Sequence, residues 1–341
     1  MDTSKLKPND PRVKYVTETI RGKKCRLIVG EAQGTKKETM VLIHGFPDMA
    51  FGWRYQIPYF MSLGYQVVVP DLIGYAGTDA PEDLKEYSLK NVADDIKAIS
   101  TKFVGEDGQI VLGGHDWGGF AVWRAAEWHP KLIKCVFSVC TPYTPAHAQF
   151  IPLDVIIAAG KLKNFTYQLQ LAGPEVQSKL QGEEKVRQFL NGMYGGSGPN
   201  GERAFKATEG VQFHNLDKLR QSPLVSKEEL DYYTEQYMLR SAPQLRGPLN
   251  WYRTRQINFE EEQALVEKQS RVTMPALFIT ATKDSALPPS MSEGMDEHFD
   301  SLTRGEVDAD HWALWQAADE VNSLVTKWLE NVLSGAIKAS L

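Results

Sequence analysis

The chain has 341 residues, 42% of them apolar, and a formal net charge of −5, enough for one large α/β domain or a core with an inserted subdomain. Its Lys and Arg residues are dispersed among acids, which leaves no basic footprint for nucleic acid, and no run approaches the ~20 apolar residues needed to cross a bilayer. Cys25, Cys135 and Cys140, behind an N-terminus without an apolar leader, read as reduced thiols in a soluble cytoplasmic protein, and the C-terminal Ala339-Ser340-Leu341 lacks the basic residue of a peroxisomal address.

Short β-rich runs come first: Val13–Ile20, Cys25–Gly30, Met40–His44 and Gln66–Pro70, separated by turn signals. Strands then alternate with helices. Gln109–Leu112 leads into a helix from Gly118 to Trp128, Ile133–Cys140 is a strand, and the rhythm resumes at Pro275–Ala281. Such alternation predicts βαβ units and a mostly parallel sheet covered on both faces. Val321, Leu324, Val325, Trp328, Leu329 and Val332 fall at i, i+3, i+4, i+7 spacing, an amphipathic helix for that sheet. Between these parts, 144–269 reads as a helical insertion, so the core is expected over 1–143 and 270–341. Within the insertion Ser226-Lys-Glu-Glu229 is a capping box opening a helix with Leu230, Tyr233 and Tyr237 on one face. Asn191–Gly201 has the composition of a flexible connector; it lacks the preceding strand and the Gly-Lys-Ser/Thr of a phosphate loop.

The chemistry concentrates at Val111-Leu-Gly-Gly-His-Asp-Trp-Gly-Gly119. Small residues allow a sharp strand-to-helix turn that projects Asp116 above the sheet edge, a nucleophile elbow with Asp in the serine position. His44-Gly45-Phe46-Pro47, at the end of an earlier strand, can turn the N–H of Phe46 toward the elbow and complete an oxyanion hole with that of Trp117. The order nucleophile, acid, histidine selects Asp284 after PALFITA and His311 after Arg304–Val307, both beyond the carboxyl ends of strands. No Asp or Glu between Pro130 and Leu153 competes for the acid. Of the other histidines, His298 lies in a helical segment, His129 and His147 stand near prolines, and His214 is inside the insertion.

A carboxylate of ordinary pKa about 3.9 is ionised at neutral pH and attacks without a base. Attack on a saturated carbon leaves an ester that water cleaves at the Asp116 carbonyl, whereas serine would leave an inert ether. His311 is then free to deprotonate that water, with Asp284 fixing its tautomer. The leaving group is a halide, for which indole N–H donors suffice, or the oxygen of a strained epoxide, which needs an acid. Tyrosine fits the second role, and Tyr143, Tyr167, Tyr194, Tyr232, Tyr233, Tyr237 and Tyr252 are all available. Trp53 and Trp312 are candidates for the wall of a substrate pocket, a role as compatible with their positions as plain packing.

Asn164-Phe-Thr-Tyr-Gln-Leu169 and Leu249-Asn-Trp-Tyr-Arg253, together with HGFP, GHDWGG, ATKD and DHW in this order, resemble the motifs of soluble-type epoxide hydrolases of the α/β-hydrolase fold. The resemblance spans roughly Val13 to Leu333. It implies an eight-stranded sheet with a helical cap (lid), a cis Phe46–Pro47 bond, and Tyr167 and Tyr252 as the pair that binds the epoxide oxygen. It further implies a detoxifying hydrolase that needs no metal or organic cofactor, acts on small-molecule epoxides, and works as a monomer or homodimer. Asp71-Leu-Ile-Gly-Tyr-Ala-Gly-Thr78 departs from the family's D-x-x-G-x-G-x-S, and the chain leaves no room for the additional phosphatase domain of some animal members. Haloalkane dehalogenase is the alternative chemistry; a catalytically silent receptor on the same fold is the alternative from another class.

Overall fold

Aliphatic residues fill the strands that lie deepest: Val41–Ile43, Val67–Val69 and Ile110–Leu112 are buried on both faces, as a parallel sheet covered on either side requires. The computed structural model describes residues 2–337, so the C-terminal triplet 339–341 lies outside the described residues. The strands in chain order are β1 (Lys14–Ile20), β2 (Lys23–Gly30), β3 (Thr39–Ile43), β4 (Gln66–Pro70), β5 (Ile110–His115), β6 (Ile133–Val139), β7 (Phe205–Lys206), β8 (Gly210–Val211), β9 (Ala276–Ala281) and β10 (Leu302–Val307). Eight of them form one sheet in the order β1-β2-β4-β3-β5-β6-β9-β10. β1, β2 and β4 pair antiparallel, and every pair from β4 to β10 is parallel. This is the mostly parallel sheet that the alternation predicts, with the eight strands that the resemblance implies.

The chain divides into two compact units. The first, which holds the eight-stranded sheet, comprises the chain through Leu72, Ser88–Ala148, and Ile257 onward. Its last helix, Ala318–Leu333, buries Val321, Val325, Trp328 and Leu329 on the expected face. The three cysteines are buried thiols.

The second unit, Ile73–Tyr87 with Gln149–Gln256, is mainly helical, with β7 and β8 as a small antiparallel hairpin. It gathers in a stretch, Ile73–Tyr87, that lies well before 144–269 in the chain. Trp251 donates its indole N–H to the Ile73 carbonyl (3.0 Å), and the Arg240 guanidinium donates to the carbonyls of Tyr75 (3.3 Å), Ala76 (3.1 Å) and Thr78. The turn at this departure places Ala76 at φ 41° and is closed by Gly74 N–H to Asp79 O (2.9 Å). The capping box forms as expected: Glu229 N–H donates to Ser226 Oγ (3.1 Å), and Ser226 N–H to Glu229 Oε2 (2.7 Å). Asn191–Gly201, expected as a flexible connector, is a turn closed by backbone hydrogen bonds, among them Gly196 N–H to Asn191 O and Gly198 N–H to Glu202 O, both 2.9 Å. Among the described residues no helix is long and apolar enough to cross a membrane.

Candidate active site

The elbow is built where β5, central in the sheet, meets the helix Trp117–Trp128. Asp116 sits between them at φ 54°, ψ −124°, a conformation that costs a non-glycine residue roughly 1–3 kcal/mol. The surroundings over-determine it. Its carbonyl accepts from Gly119 N–H (2.8 Å), Phe120 N–H (3.3 Å) and Thr141 Oγ1–H (2.8 Å). Gly118 is required by the neighbouring strand end, since a Cβ there would lie 2.1 Å from the Ile43 carbonyl oxygen.

Three further segments converge here from the carboxyl ends of parallel strands, two on Asp116 and one on His311. The loop after β3 brings Phe46, whose backbone N–H donates to Asp116 Oδ1 at 2.6 Å, and its Phe46–Pro47 bond is cis, as the resemblance implies. The segment after β10 brings His311, whose Nε2 stands 3.4 Å from Asp116 Oδ2. Its Nδ1 is 2.7 Å from Oδ2 of Asp284, which follows β9. Asp284 Oδ1 accepts from the N–H groups of Ala286 (2.8 Å) and Leu287 (2.9 Å), so this carboxylate is fixed at both oxygens. An anionic Asp284 makes Nδ1 the protonated nitrogen and directs Nε2 toward Asp116.

Electrostatics follow from this chain of contacts. Burial pushes the carboxyls of Asp116 and Asp284 up, but the His311 imidazolium, its hydrogen bonds and the backbone N–H groups more than offset it, and both are held below the usual carboxylate range. Burial likewise disfavours a charged His311, yet Asp284 and Asp116 together raise its pKa well above the ordinary imidazole value. The site can hold a negative nucleophile, a positive imidazole and a second negative charge at once.

The remaining candidates fall in different places. Trp117 opens the helix after Asp116 and packs on Phe120 (5.6 Å between ring centroids). Trp312 lies edge-on to His311 at 5.6 Å and stacks on Trp315 at 4.3 Å. Trp53 is wholly buried and edge-on to Phe137, which in turn packs on Trp328 of the last helix; these are the surroundings of a core side chain. Tyr167 and Tyr252 meet within the second unit, centroids 6.0 Å apart and rings at 75°, and Tyr167 is also wedged by Phe205 of β7 at 5.0 Å. Gln168 Nε2 donates to the Tyr167 hydroxyl at 3.4 Å. The other phenols pack elsewhere, Tyr143 against Phe299 and Tyr194 against Tyr233. His129 pairs with Asp94 (2.8 Å), and His298 packs on Tyr143 (5.4 Å).

Two histidines read only as motif letters turn out to be structural supports. His115 Nε2 is 2.7 Å from the His311 carbonyl and so carries the proton, while its buried Nδ1 has no hydrogen-bond partner among the described residues. Burial and the charge of His311 lower its pKa to about 4, which keeps it neutral. His44 accepts from Leu72 N–H at Nε2 (2.9 Å) and bonds the Gly45 carbonyl through Nδ1 (2.9 Å), so its proton is on Nδ1. Their positions beside the elbow and the HGFP loop are the signal that could have singled them out. His115, Cys140 and His311 each offer a ligand atom within 4.8 Å of the others. The set suits a metal poorly, because burial and the nearby carboxylates push the Cys140 thiol up, and thiolate is the ligating form.

Residues 38–318 match the model of the alpha/beta hydrolase fold family. An epoxide hydrolase of Neurospora crassa, srdG, is 39% identical across 98% of this chain and 100% of its own length. Bifunctional epoxide hydrolase 2 of Rattus norvegicus is 33% identical across 85% of this chain, which spans about half (51%) of that relative. The crystal structure of epoxide hydrolase A from Mycobacterium thermoresistibile superposes with a TM-score of 0.77 at 26% identity, over 93% of this chain and 98% of the other.

Proposed function

The chain belongs to the α/β-hydrolase-fold family, within it to the epoxide hydrolases, and from that premise we propose that it hydrolyses epoxides to vicinal diols. Asp116 attacks one ring carbon and forms an alkyl ester, while Tyr167 and Tyr252 hold the departing oxygen and supply its proton. Once the ester has removed the charge on Asp116, His311, oriented by Asp284, gives up to solvent the Nε2 proton it carries at rest and takes a proton from water; it regains the first from solvent when Asp116 is again a carboxylate. The resulting hydroxide adds to the Asp116 carbonyl, whose oxygen is held by the N–H groups of Phe46 and Trp117. The bond between that carbonyl carbon and the ester oxygen breaks. The diol leaves with one oxygen from Asp116, Asp116 regains an oxygen from water, and the protons on His311 and the new carboxyl return to the alkoxide and the tyrosine.

One observation carries this reading. Asp116 Oδ1 accepts the Phe46 N–H at 2.6 Å while Oδ2 faces His311 Nε2 at 3.4 Å, so one carboxylate meets both the donor that an oxyanion needs and the base that its ester needs. Trp312, beside His311, is the candidate for the pocket wall; Trp53, in the core, lacks comparable support. The stretch 144–269 is proposed as the cap that carries both tyrosines, in a cytoplasmic monomer or homodimer acting on small epoxides. The relatives do not favour haloalkane dehalogenation. Diol formation from a simple aryl epoxide, measured beside halide release from a bromoalkane, tests the assignment. Halide release with inert epoxides would reject it.

A further inference from the structure

The start of the second unit carries a cluster of exposed apolar side chains unlike the rest of the surface. Of six large apolar side chains exposed among the described residues, three lie within six positions: Phe150 (37% exposed), Ile151 (47%) and Val155 (52%). They are held in place. Val155 belongs to the short helix Leu153–Ala158, Leu153 is buried beneath it, and the Arg255 guanidinium donates to the Ile151 carbonyl at 3.4 Å. Ile156 and Ile157 follow, half-buried. Close in sequence stand exposed Lys161 and Lys163, two cations against the one acid of 149–163, Asp154, and Arg255 adds a cation through its bond to Ile151, in a chain whose net charge is −5.

We propose that this segment, Gln149–Lys163, docks peripherally on an anionic lipid surface, with Phe150, Ile151 and Val155 entering the head-group boundary and Lys161, Lys163 and Arg255 facing the lipid charges. Two considerations select a bilayer over a second copy of the chain. A stable dimer buries roughly 800 Å² on each partner, far more than three half-exposed side chains provide, whereas a bilayer receives a few apolar side chains without shape complementarity. The local excess of positive charge complements acidic phospholipids, and two such patches would repel each other. The proposal does not depend on the reaction assigned above.

Co-sedimentation of the full chain with vesicles of equal parts phosphatidylcholine and phosphatidylserine, beside phosphatidylcholine alone, tests it. The wild type should partition onto the mixed vesicles, and Phe150→Ser with Ile151→Ser and Val155→Ser should weaken this at least tenfold. Lys161→Glu with Lys163→Glu should do the same, an independent check should the first variant fold poorly. Hydrolysis of a water-soluble epoxide should stay unchanged in both. Failure of the wild type to bind, or full binding by either variant, overturns the proposal. So does a dimer that the apolar variant dissociates while the wild type leaves the vesicles untouched, which would make this face a contact between copies.

Discussion

A β-carbon on Gly45 would lie 2.2 Å from Oδ1 of Asp116. The loop after β3 therefore runs against the carboxylate at a distance that only glycine allows, and this approach sets the 2.6 Å contact from Phe46 N–H. Gly45→Ala must displace either the carboxylate or the donor. Steady-state assays should show turnover reduced about 10²–10³-fold, the scale of losing one oxyanion donor, with the far-ultraviolet spectrum retained. Near-normal turnover would show that the loop can retreat without harm.

Asp116→Asn and His311→Gln should fail at different points. The amide is not a nucleophile, so sustained turnover should fall by about 10⁴-fold or more with no adduct formed. With His311→Gln the carboxylate remains, and ring opening should precede a stalled hydrolysis. Mass spectrometry of the intact protein should then find one substrate mass added. An unmodified His311→Gln protein after incubation with a reactive epoxide would count against a covalent ester.

Single-turnover reaction in heavy-oxygen water checks the fate of the oxygens. The first diol should carry the unlabelled oxygen of Asp116, whose side chain takes up label from water in that same cycle, and later diols should carry label. Label confined to product from the first turnover would mean direct attack by water.

Tyr167→Phe and Tyr252→Phe each remove one phenol while keeping the ring contact between them. Either alone should slow ring opening, and the pair together should lose about 10²–10⁴-fold, the usual contribution of general acid catalysis. Thermal unfolding should be nearly unchanged, since the rings remain. Retention of most activity by the double variant would remove these residues from the mechanism.

The pKa pattern predicts how stability varies with pH. The raised pKa of His311 contributes stability that is complete below its unfolded value of about 6.5 and is lost as pH rises through the folded value. The lowered pKa values of Asp116 and Asp284 contribute stability that is complete above about 3.9 and is lost as pH falls through their folded values. The combined contribution is therefore greatest between about pH 4 and 6.5. Melting temperatures of wild type and His311→Gln should diverge in that window and approach each other in alkali. A constant gap would mean that His311 stabilises by packing alone.

The convergence of Asp116, Asp284 and His311 was legible in the sequence because each residue follows a strand whose aliphatic run announces itself, and parallel strands deliver their ends to one edge of a sheet. Glycines flanking Asp116 carry the same local message. The place of Ile73–Tyr87 in the second unit could not be read in this way, since it depends on Trp251 and Arg240 binding its carbonyls across more than 160 positions of chain. Nor could Trp53, whose side chain in a loop after HGFP could as well line a pocket as enter the core; only its contact with Phe137 distinguishes these. His115 stayed hidden because its partner is a backbone carbonyl, which leaves no residue type to recognise.

Two anions share one imidazole, Asp284 at Nδ1 and Asp116 at Nε2, but only the first keeps its charge through a catalytic cycle that proceeds by an ester. Once Asp116 is alkylated, the imidazolium loses one of the two charges that favour it, and its hold on the proton weakens when water first needs a base. On the proposed route, the first half of the reaction would thereby arm the second.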